Sequence, residues 1–135
     1  MKLDEIKSLL SEHTPGSLAT LDENNTPDVR GFEFQCIEDD KVYFFTNTNK
    51  KVYKQIKANP NVSFFCMING SQFRFYGKAV FVQDTATVKR LHAGASDGVK
   101  KFYPTSESNG FTVFCIEHGQ VAFVQGFGPF KTITF

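Results

Sequence analysis

Most of the chain is built from short segments in which apolar and polar residues alternate. Alternation with a period of two is typical of β-strands that bury one face, and turn-forming pairs such as Asn69-Gly70 and His118-Gly119 separate the segments. The pattern predicts strands over residues 17–21, 28–37, 41–46, 61–67, 72–83, 111–117, 120–125 and 131–135. Short strands joined by tight turns favour an antiparallel sheet that closes into a barrel, so the predicted fold is mainly β with a few short helices.

A smaller part of the chain follows the helical period. Helices are predicted over residues 3–12, over about 50–58 and from an N-cap at Asp84, with one further turn near residues 100–103. The second helix buries Val52 and Ile56 at a spacing of four and ends before Asn59-Pro60, because the residue that precedes a proline avoids the helical region.

Composition and charge exclude several classes of protein. Hydrophobic residues make up 41% and charged residues 21% of the 135 residues, which excludes a disordered chain and fits one domain. A net charge of +1 provides no general attraction to nucleic acid or anionic lipid. No apolar run approaches the roughly 20 residues of a membrane span, so we expect a cytoplasmic protein without a membrane partner.

Cysteines and histidines are few and scattered. They are Cys36, Cys66, Cys115, His13, His92 and His118. Each cysteine lies in an apolar strand segment, which favours buried reduced thiols over disulfides. No two of these residues have the close spacing with which a zinc or iron site usually begins, so no metal is expected.

The segment 44–51 is the first candidate for a binding site. An apolar strand runs here into Thr46, Asn47 and Asn49, and two lysines beginning with Lys50 follow at a predicted helix start. A helix N-terminus offers unpaired N–H groups and a partial positive charge, and a lysine adds the full charge that a phosphate needs. The alternative is an ordinary polar loop in which Asn49 caps the helix and the lysines face solvent.

Arg30 and Gly31 form the second candidate, on a strand expected to pair with the strand that leads into segment 44–51. A guanidinium binds phosphate through two hydrogen bonds, and a glycine permits close approach of a flat ligand to the backbone. The alternatives are an arginine paired with Glu23, Asp28 or Glu33, and a glycine that marks a bulge.

Aromatic and basic residues also interleave over residues 73–81, as they do in strands that bind single-stranded nucleic acid. The order of Gly and aromatic residues differs from the RNA-recognition signature, and the net charge is low. A barrel strand with a core face is the preferred interpretation, and nucleic acid is not an expected partner.

Six pieces of the chain, spread over nearly its whole length, match one known family together. They are residues 17–21, 27–32, 42–47, 50–56 followed by Asn59-Pro60, 73–77 and 123–135. In this order and spacing they resemble the pyridoxamine 5′-phosphate oxidase-like family of FMN-binding split barrels, especially its small clostridial-type members grouped with nitroimidazole-resistance proteins. The resemblance implies a six-stranded antiparallel split β-barrel and a homodimer with FMN in two clefts at the subunit interface.

The resemblance also implies a phosphate site. Arg30 and Lys50 would hold the FMN phosphate, and Thr46, Asn47 and Asn49 would add hydrogen bonds. The two candidate segments would therefore act on the same group.

The flavin ring would contact other positions. Backbone at Gly31, Phe32 and Phe45 would lie along the isoalloxazine, and Gln72 would reach the ring or the ribityl chain. Phe127 would cover the flavin from the partner subunit.

Two departures from the family bear on activity. The chain ends at residues 131–135 without the Arg-x-His segment that vitamin-B6 oxidases use for their substrate. No histidine lies near the end of strand 43–46, where nitroimidazole-resistance members often carry one. The resemblance therefore does not point to either substrate.

A flavin performs electron and hydride transfer itself, so no catalytic side chain needs to be visible and none is identified. The leading hypothesis is a flavin-dependent oxidoreductase that acts on an unknown small molecule. The alternative is a non-enzymatic protein that binds, stores or senses a flavin, haem or deazaflavin.

Overall fold

A computed structural model describes all 135 residues as eight strands and four short helices. The strands are β1 (Pro15–Leu21), β2 (Pro27–Glu38), β3 (Lys41–Asn47), β4 (Asn61–Ile68), β5 (Ser71–Phe81), β6 (Phe111–Ile116), β7 (Gln120–Gln125) and β8 (Lys131–Thr134). The helices are α1 (Asp4–Lys7), α2 (Lys51–Ala58), α3 (Thr85–Ala93) and α4 (Asp97–Phe102). No helix is long and apolar enough to cross a membrane.

Six of the strands close into an antiparallel barrel in the order β1-β2-β3-β6-β5-β4, with β4 returning to β1. β5 is long enough to pair with three strands. Residues 71–78 pair with β4, residues 71–76 pair with β7, and residues 79–81 pair with β6. β7 and β8 therefore extend the sheet beyond the barrel. This topology confirms the predicted mainly β fold and the six-stranded split barrel.

Phenylalanines fill the barrel because alternate residues of each strand face inward. Six of them are fully buried: Phe34, Phe44, Phe64, Phe73, Phe75 and Phe114. Their rings pack in stacked and edge-to-face pairs, of which Phe44 and Phe64 have centroids 5.0 Å apart. Val52 and Ile56 of α2 join the same core, so α2 closes one end of the barrel.

Gly16 on β1 marks the closest approach between strands. A Cβ atom there would lie 2.3 Å from the backbone oxygen of Phe65 and 2.6 Å from the ring of Phe64. Only glycine therefore allows β1 to cross β4 at this point.

The N-terminal helix is shorter than predicted. The pattern indicates a helix over residues 3–12, but only Asp4–Lys7 is α-helical. The carboxylate of Asp40 accepts the backbone N–H groups of Lys2 and Leu3 at 3.1 and 2.9 Å and fixes where the helix begins. The N–H groups of residues 9 and 10 both bond to the Ile6 carbonyl, so the remainder continues as turns.

α4 differs in the opposite direction, because a full helix replaces the single turn predicted near residues 100–103. The Ser96 hydroxyl caps it by accepting the N–H of Val99 at 3.3 Å. Asp84 caps α3 as predicted and accepts the Thr87 N–H at 3.2 Å.

Candidate functional site

The barrel is open between β2 and β3. Their ladder ends at the pair Phe34–Phe44, next to a bulge at Phe34/Cys36. Beyond that pair, β2 is bonded only to β1 and β3 only to β6. The facing edges over residues 27–33 and 45–47 are therefore without strand partners. Unpaired N–H and C=O groups along such an edge are available to a ligand.

One corner of this split continues into a cleft of about 400 Å³. It is lined by Glu33 of β2, by Lys50 before α2, and by Ser96, Gly98, Val99, Phe102 and Tyr103 on and around α4. α4 buries none of its residues, and the Phe102 side chain is 84% exposed. The cleft therefore has an apolar wall that faces solvent.

Tyr103 fastens α4 to the barrel. Its backbone oxygen accepts a hydrogen bond from His92 Nε2 at 2.6 Å, and its hydroxyl accepts one from Asn47 Nδ2 at 3.1 Å. Its ring packs on Phe111, with centroids 5.0 Å apart. α3, β3 and β6 together hold the wall of the cleft in place.

Arg30 lies in a polar network between β2 and α2. Its Nη1 donates to the Thr20 hydroxyl at 2.8 Å and to the Leu18 carbonyl at 3.1 Å. Its Nη2 donates to Gln55 Oε1 at 3.0 Å and lies 3.2 Å from Asp28 Oδ2. About a quarter of the side chain (24%) remains exposed, so the guanidinium is anchored and still reachable from solvent.

Asp28 joins this network to the start of α2. Gln55 Nε2 donates to its Oδ2 at 3.1 Å, and Lys51 Nζ lies 3.6 Å from the same oxygen. The hydrogen bond from Gln55 and the charges of Arg30 and Lys51 lower the pKa of Asp28 below its ordinary value. The carboxylate is therefore ionised at neutral pH, between two cations.

Thr46 is buried with an unpartnered hydroxyl. It shares the inward face of β3 with Val42 and Phe44, near the end that α2 closes, and its side chain is 4% exposed. No donor or acceptor of the chain reaches its Oγ1. Buried hydroxyls nearly always have a partner, so this atom indicates a group that the chain itself does not supply.

The predicted ring-contacting residues of this region lie along the split. A Cβ atom on Gly31 would meet nothing within 4 Å, and β2 shows no bulge at Gly31. The ring of Phe32 points inward, with centroids 6.0 Å from Phe114 and 6.1 Å from Phe44. Phe45 points outward and packs on Phe111 at 5.1 Å. Only the backbone of these residues faces the split.

The polar residues of segment 44–51 have different surroundings. Asn47 is occupied by the chain, because its Oδ1 accepts the Asn49 N–H at 2.8 Å while its Nδ2 donates to Tyr103. Asn49 is exposed and is not the cap of α2, since Lys50 has the N-cap position without a side-chain bond. Lys50 and Arg30 lie in different surroundings, the first in the α4 cleft and the second in the Asp28 network. The strand of Arg30 pairs with β3 as expected, but it does so through residues 34–38, and Arg30 itself pairs with Leu18 of β1.

Gln72 and Phe127 belong to other strands than the phosphate candidates. Gln72 pairs with Met67 and Val124 near the start of β5. The ladders place Phe75 in one row with Arg30, through Leu18 and Phe64, so Gln72 lies three residues along β5 from that row. Phe127 is fully exposed, in the loop that follows β7. Contact of these two residues with the flavin stays a prediction.

The sequence analysis did not place Thr20 or Gln55 at the site, and it expected Lys50 and not its neighbour Lys51 to act with Arg30. Lys51, and not Lys50, reaches the Asp28 carboxylate near Arg30. Gln55 is buried on α2 beside Val52 and Ile56. A glutamine between two buried apolar positions of a helix is a signal that could have found it, because a buried amide requires polar partners.

The aromatic residues of β5 and the three cysteines, which the sequence analysis also considered, take part in the packing of the barrel. Alternate aromatic residues of β5 point into the core, and the exposed Arg74 lies over the ring of Phe130 at 4.4 Å. The three cysteines are free and buried. No group of three or more His, Cys, Asp or Glu side chains could hold a metal ion.

Both the sequence and the fold are similar to those of known proteins. Residues 3–125 match the family model described as pyridoxamine 5′-phosphate oxidase. No curated protein matches. A NimC/NimA family protein from Clostridium acetobutylicum is 26% identical, with a TM-score of 0.83, over 100% of this chain and 94% of that one.

Two more distant structures share the fold. A pyridoxamine 5′-phosphate oxidase-related, FMN-binding protein from Nostoc punctiforme is 15% identical, with a TM-score of 0.71, over 97% of this chain and 92% of that one. A haem-binding protein from Mycobacterium smegmatis is 16% identical, with a TM-score of 0.79, over 99% of this chain and 58% of that one.

Proposed function

This chain belongs to the pyridoxamine 5′-phosphate oxidase family, and on that basis we propose that it is an FMN-binding oxidoreductase whose cofactor lies in the split between β2 and β3. The observation that carries the proposal is the pair of partnerless strand edges, with the unpartnered hydroxyl of Thr46 beside them. The buried hydroxyl without a partner is costly in a protein that binds nothing there, and the open strand edges offer hydrogen bonds to a polar, flat ligand.

The phosphate of FMN is assigned to the start of α2. Arg30 and Lys51 provide two positive charges near one another, and Lys50 adds a third at the N-cap position. The first N–H groups of α2 have no side-chain cap, which leaves them free to bind an anion. Thr46 would donate its hydroxyl, whereas the amide of Asn47 is already used by Tyr103.

The isoalloxazine is assigned to the free edges. The backbone of Gly31, Phe32 and Phe45 provides N–H and C=O groups, and the absence of a side chain at Gly31 leaves room for a ring. Bound FMN would supply electron and hydride transfer. The chain would bind it, orient it and exclude water from one of its faces.

The dimer is part of the proposal because the resemblance implies FMN clefts between two subunits and because the sheet exposes apolar side chains on its outer face. The outer face of the sheet exposes Val29, Phe65, Met67 and Tyr76, and Met67 is 58% exposed. The ladders place these side chains on one surface, with Ser17 opposite Phe65 and Ser63 opposite Tyr76. These apolar side chains share the face with Ser17, Ser63 and Arg74, and we propose that a second copy covers them.

A second copy in antiparallel orientation would bring its β5 and the loop after its β7 to the split. Gln72 would then reach the flavin, and the fully exposed Phe127 would cover it. The glycines on either side of Phe127 have positive φ values of 73° and 135°, and the Phe127 side chain between them is fully exposed.

FMN is favoured over haem by the positions of the histidines. No histidine lines the α4 cleft, and His92 is engaged with the Tyr103 carbonyl. A haem iron usually requires an axial side-chain ligand, and histidine is a common one. We also propose that the protein is cytoplasmic and that it turns over a small-molecule substrate.

The experiment is a measurement of cofactor retention. The protein is mixed with FMN, desalted and examined by its visible spectrum, and we expect one FMN per chain. The double variant Arg30→Ala, Lys51→Ala should lose at least nine-tenths of it. The matched variant Lys54→Ala, Lys57→Ala removes two exposed lysines of the same helix and should retain FMN. Equal retention in both double variants would refute the site.

A further inference from the structure

Three polar groups converge on one oxygen atom of Asp28. Arg30 Nη2 lies 3.2 Å, Lys51 Nζ 3.6 Å and Gln55 Nε2 3.1 Å from its Oδ2. A guanidinium, an ammonium and an amide around one anionic oxygen are the kind of surroundings that proteins give to a phosphate oxygen. Asp28 therefore has the surroundings of an anionic ligand, although it is part of the chain.

We propose that Asp28 is a specificity-determining residue that competes with the phosphate of the cofactor for Arg30 and Lys51. The inference rests on the proposed function, in which these two cations receive that phosphate. Binding then requires the cations to exchange a carboxylate for a phosphate. The affinity of the site for a phosphorylated ligand is lower than its two cations alone would give.

The network explains why the exchange can occur without loss of the site. Arg30 Nη1 is held by Thr20 and Leu18, neither of which bonds to the Asp28 side chain, whereas Gln55, which holds Nη2, also donates to Asp28 Oδ2. The arginine therefore keeps its position when the carboxylate is neutralised. Asp28 is also about one-third exposed (35%), so its side chain has room to withdraw.

The charge balance gives the direction of the effect. Arg30, Lys51 and Asp28 together carry a net charge of +1, which becomes +2 when Asp28 is replaced by asparagine. Asp22, Glu23 and Lys54 line the neighbouring cleft beside Lys51, and their charges, which sum to −1, are the same in the wild type and in the variant. A phosphate dianion gains from the change, whereas a ligand without a phosphate does not.

The test compares FMN with riboflavin, which lacks the phosphate. Dissociation constants are measured by flavin fluorescence for the wild type, Asp28→Asn and the control Glu117→Gln. Glu117 follows β6 at the end remote from the split and lies 3.8 Å from Lys41. We expect Asp28→Asn to bind FMN about tenfold more tightly, the size expected for removing one charge at about 5 Å from a hydrated dianion. Riboflavin binding and the Glu117→Gln control should not change.

Two results would overturn the inference. If Asp28→Asn weakens FMN binding while riboflavin binding is unchanged, Asp28 positions the cations and does not compete with phosphate. If the ratio of the FMN and riboflavin constants does not change, Asp28 does not act on the phosphate. Unchanged riboflavin binding also shows that the variant is folded.

A second probe separates this inference from the proposed function. Inorganic pyrophosphate is added to both proteins without flavin, and thermal unfolding is recorded. A larger pyrophosphate-dependent rise in Tm for Asp28→Asn than for the wild type supports competition even if neither protein binds FMN, in which case only the proposed function fails. An equal or smaller rise contradicts competition.

Discussion

Replacing Thr46 by valine should make the protein more stable and a poorer flavin binder. Valine has the shape of threonine without its hydroxyl, and Thr46 Oγ1 is buried without a partner. A buried hydroxyl without a hydrogen bond costs roughly 1–3 kcal/mol, so the substitution should raise the free energy of unfolding by about 1–2 kcal/mol. For a domain of this size, the Tm should rise by roughly 4–8 °C.

The same substitution removes a donor from the proposed phosphate site. A hydrogen bond to a charged group contributes about 1.5–3 kcal/mol, so the dissociation constant for FMN should increase by about tenfold or more. Thermal unfolding without flavin and fluorescence titration with FMN measure the two effects on the same samples. Thr46→Ser is the matched control, because it keeps the hydroxyl and should retain FMN.

Opposite signs in the two assays are the signature of a hydroxyl reserved for a ligand. If Thr46→Val lowers the Tm of the flavin-free protein, the hydroxyl already has a partner and the reasoning fails. If the Tm rises while FMN affinity stays the same, the unpartnered atom is real and is not part of the cofactor site.

Three further predictions concern glycines, a carboxylate and the thiols. Gly16→Ala should lower the free energy of unfolding by about 2–3 kcal/mol, because its Cβ would overlap β4. Gly31→Ala should change it by less than about 0.5 kcal/mol, because a Cβ there meets nothing. Denaturant unfolding measures both, and equal effects would contradict the packing. The N–H groups of Leu3 and Lys2 hold the pKa of Asp40 below its ordinary value, so this contact stabilises the protein above about pH 4 and is lost as the pH falls through the lowered pKa. Asp40→Asn should therefore unfold at a lower Tm than wild type at pH 7, with the difference closing near pH 2, and a constant difference would refute the assignment. Burial raises the pKa of Cys36 and Cys66 to about 12 and of Cys115 to about 11. A thiol reagent at pH 8 should therefore label the native protein slowly and the unfolded protein at three sites. One fast thiol in the native protein would be inconsistent with this burial.

The barrel was predictable from the sequence because local patterns determine it. A period of two identifies which residues of each strand enter the core, and turn residues divide the strands. The early end of α1 was not predictable, since it follows from the N–H groups of residues 9 and 10 both bonding to the Ile6 carbonyl. The helix appears longer in the sequence because Leu9 and Leu10 continue the apolar face.

The candidate site was predictable only in part. The sequence identifies Arg30 and the two lysines at the start of α2 as an anion site. The turn of the backbone into α2 decides that Lys51, and not Lys50, lies near Arg30. The full exposure of Phe127 likewise depends on the closed barrel. Its contact with the flavin of a second copy stays a prediction.

The measurement that tests the central claim most directly is the mass of the intact complex under native conditions, after incubation with FMN and removal of excess. We predict a species with two chains and two FMN molecules, and no flavin on any residual monomer. A monomer that retains FMN would contradict the shared site. A dimer that retains no FMN would leave the interface in place and contradict the assignment of the split to this cofactor.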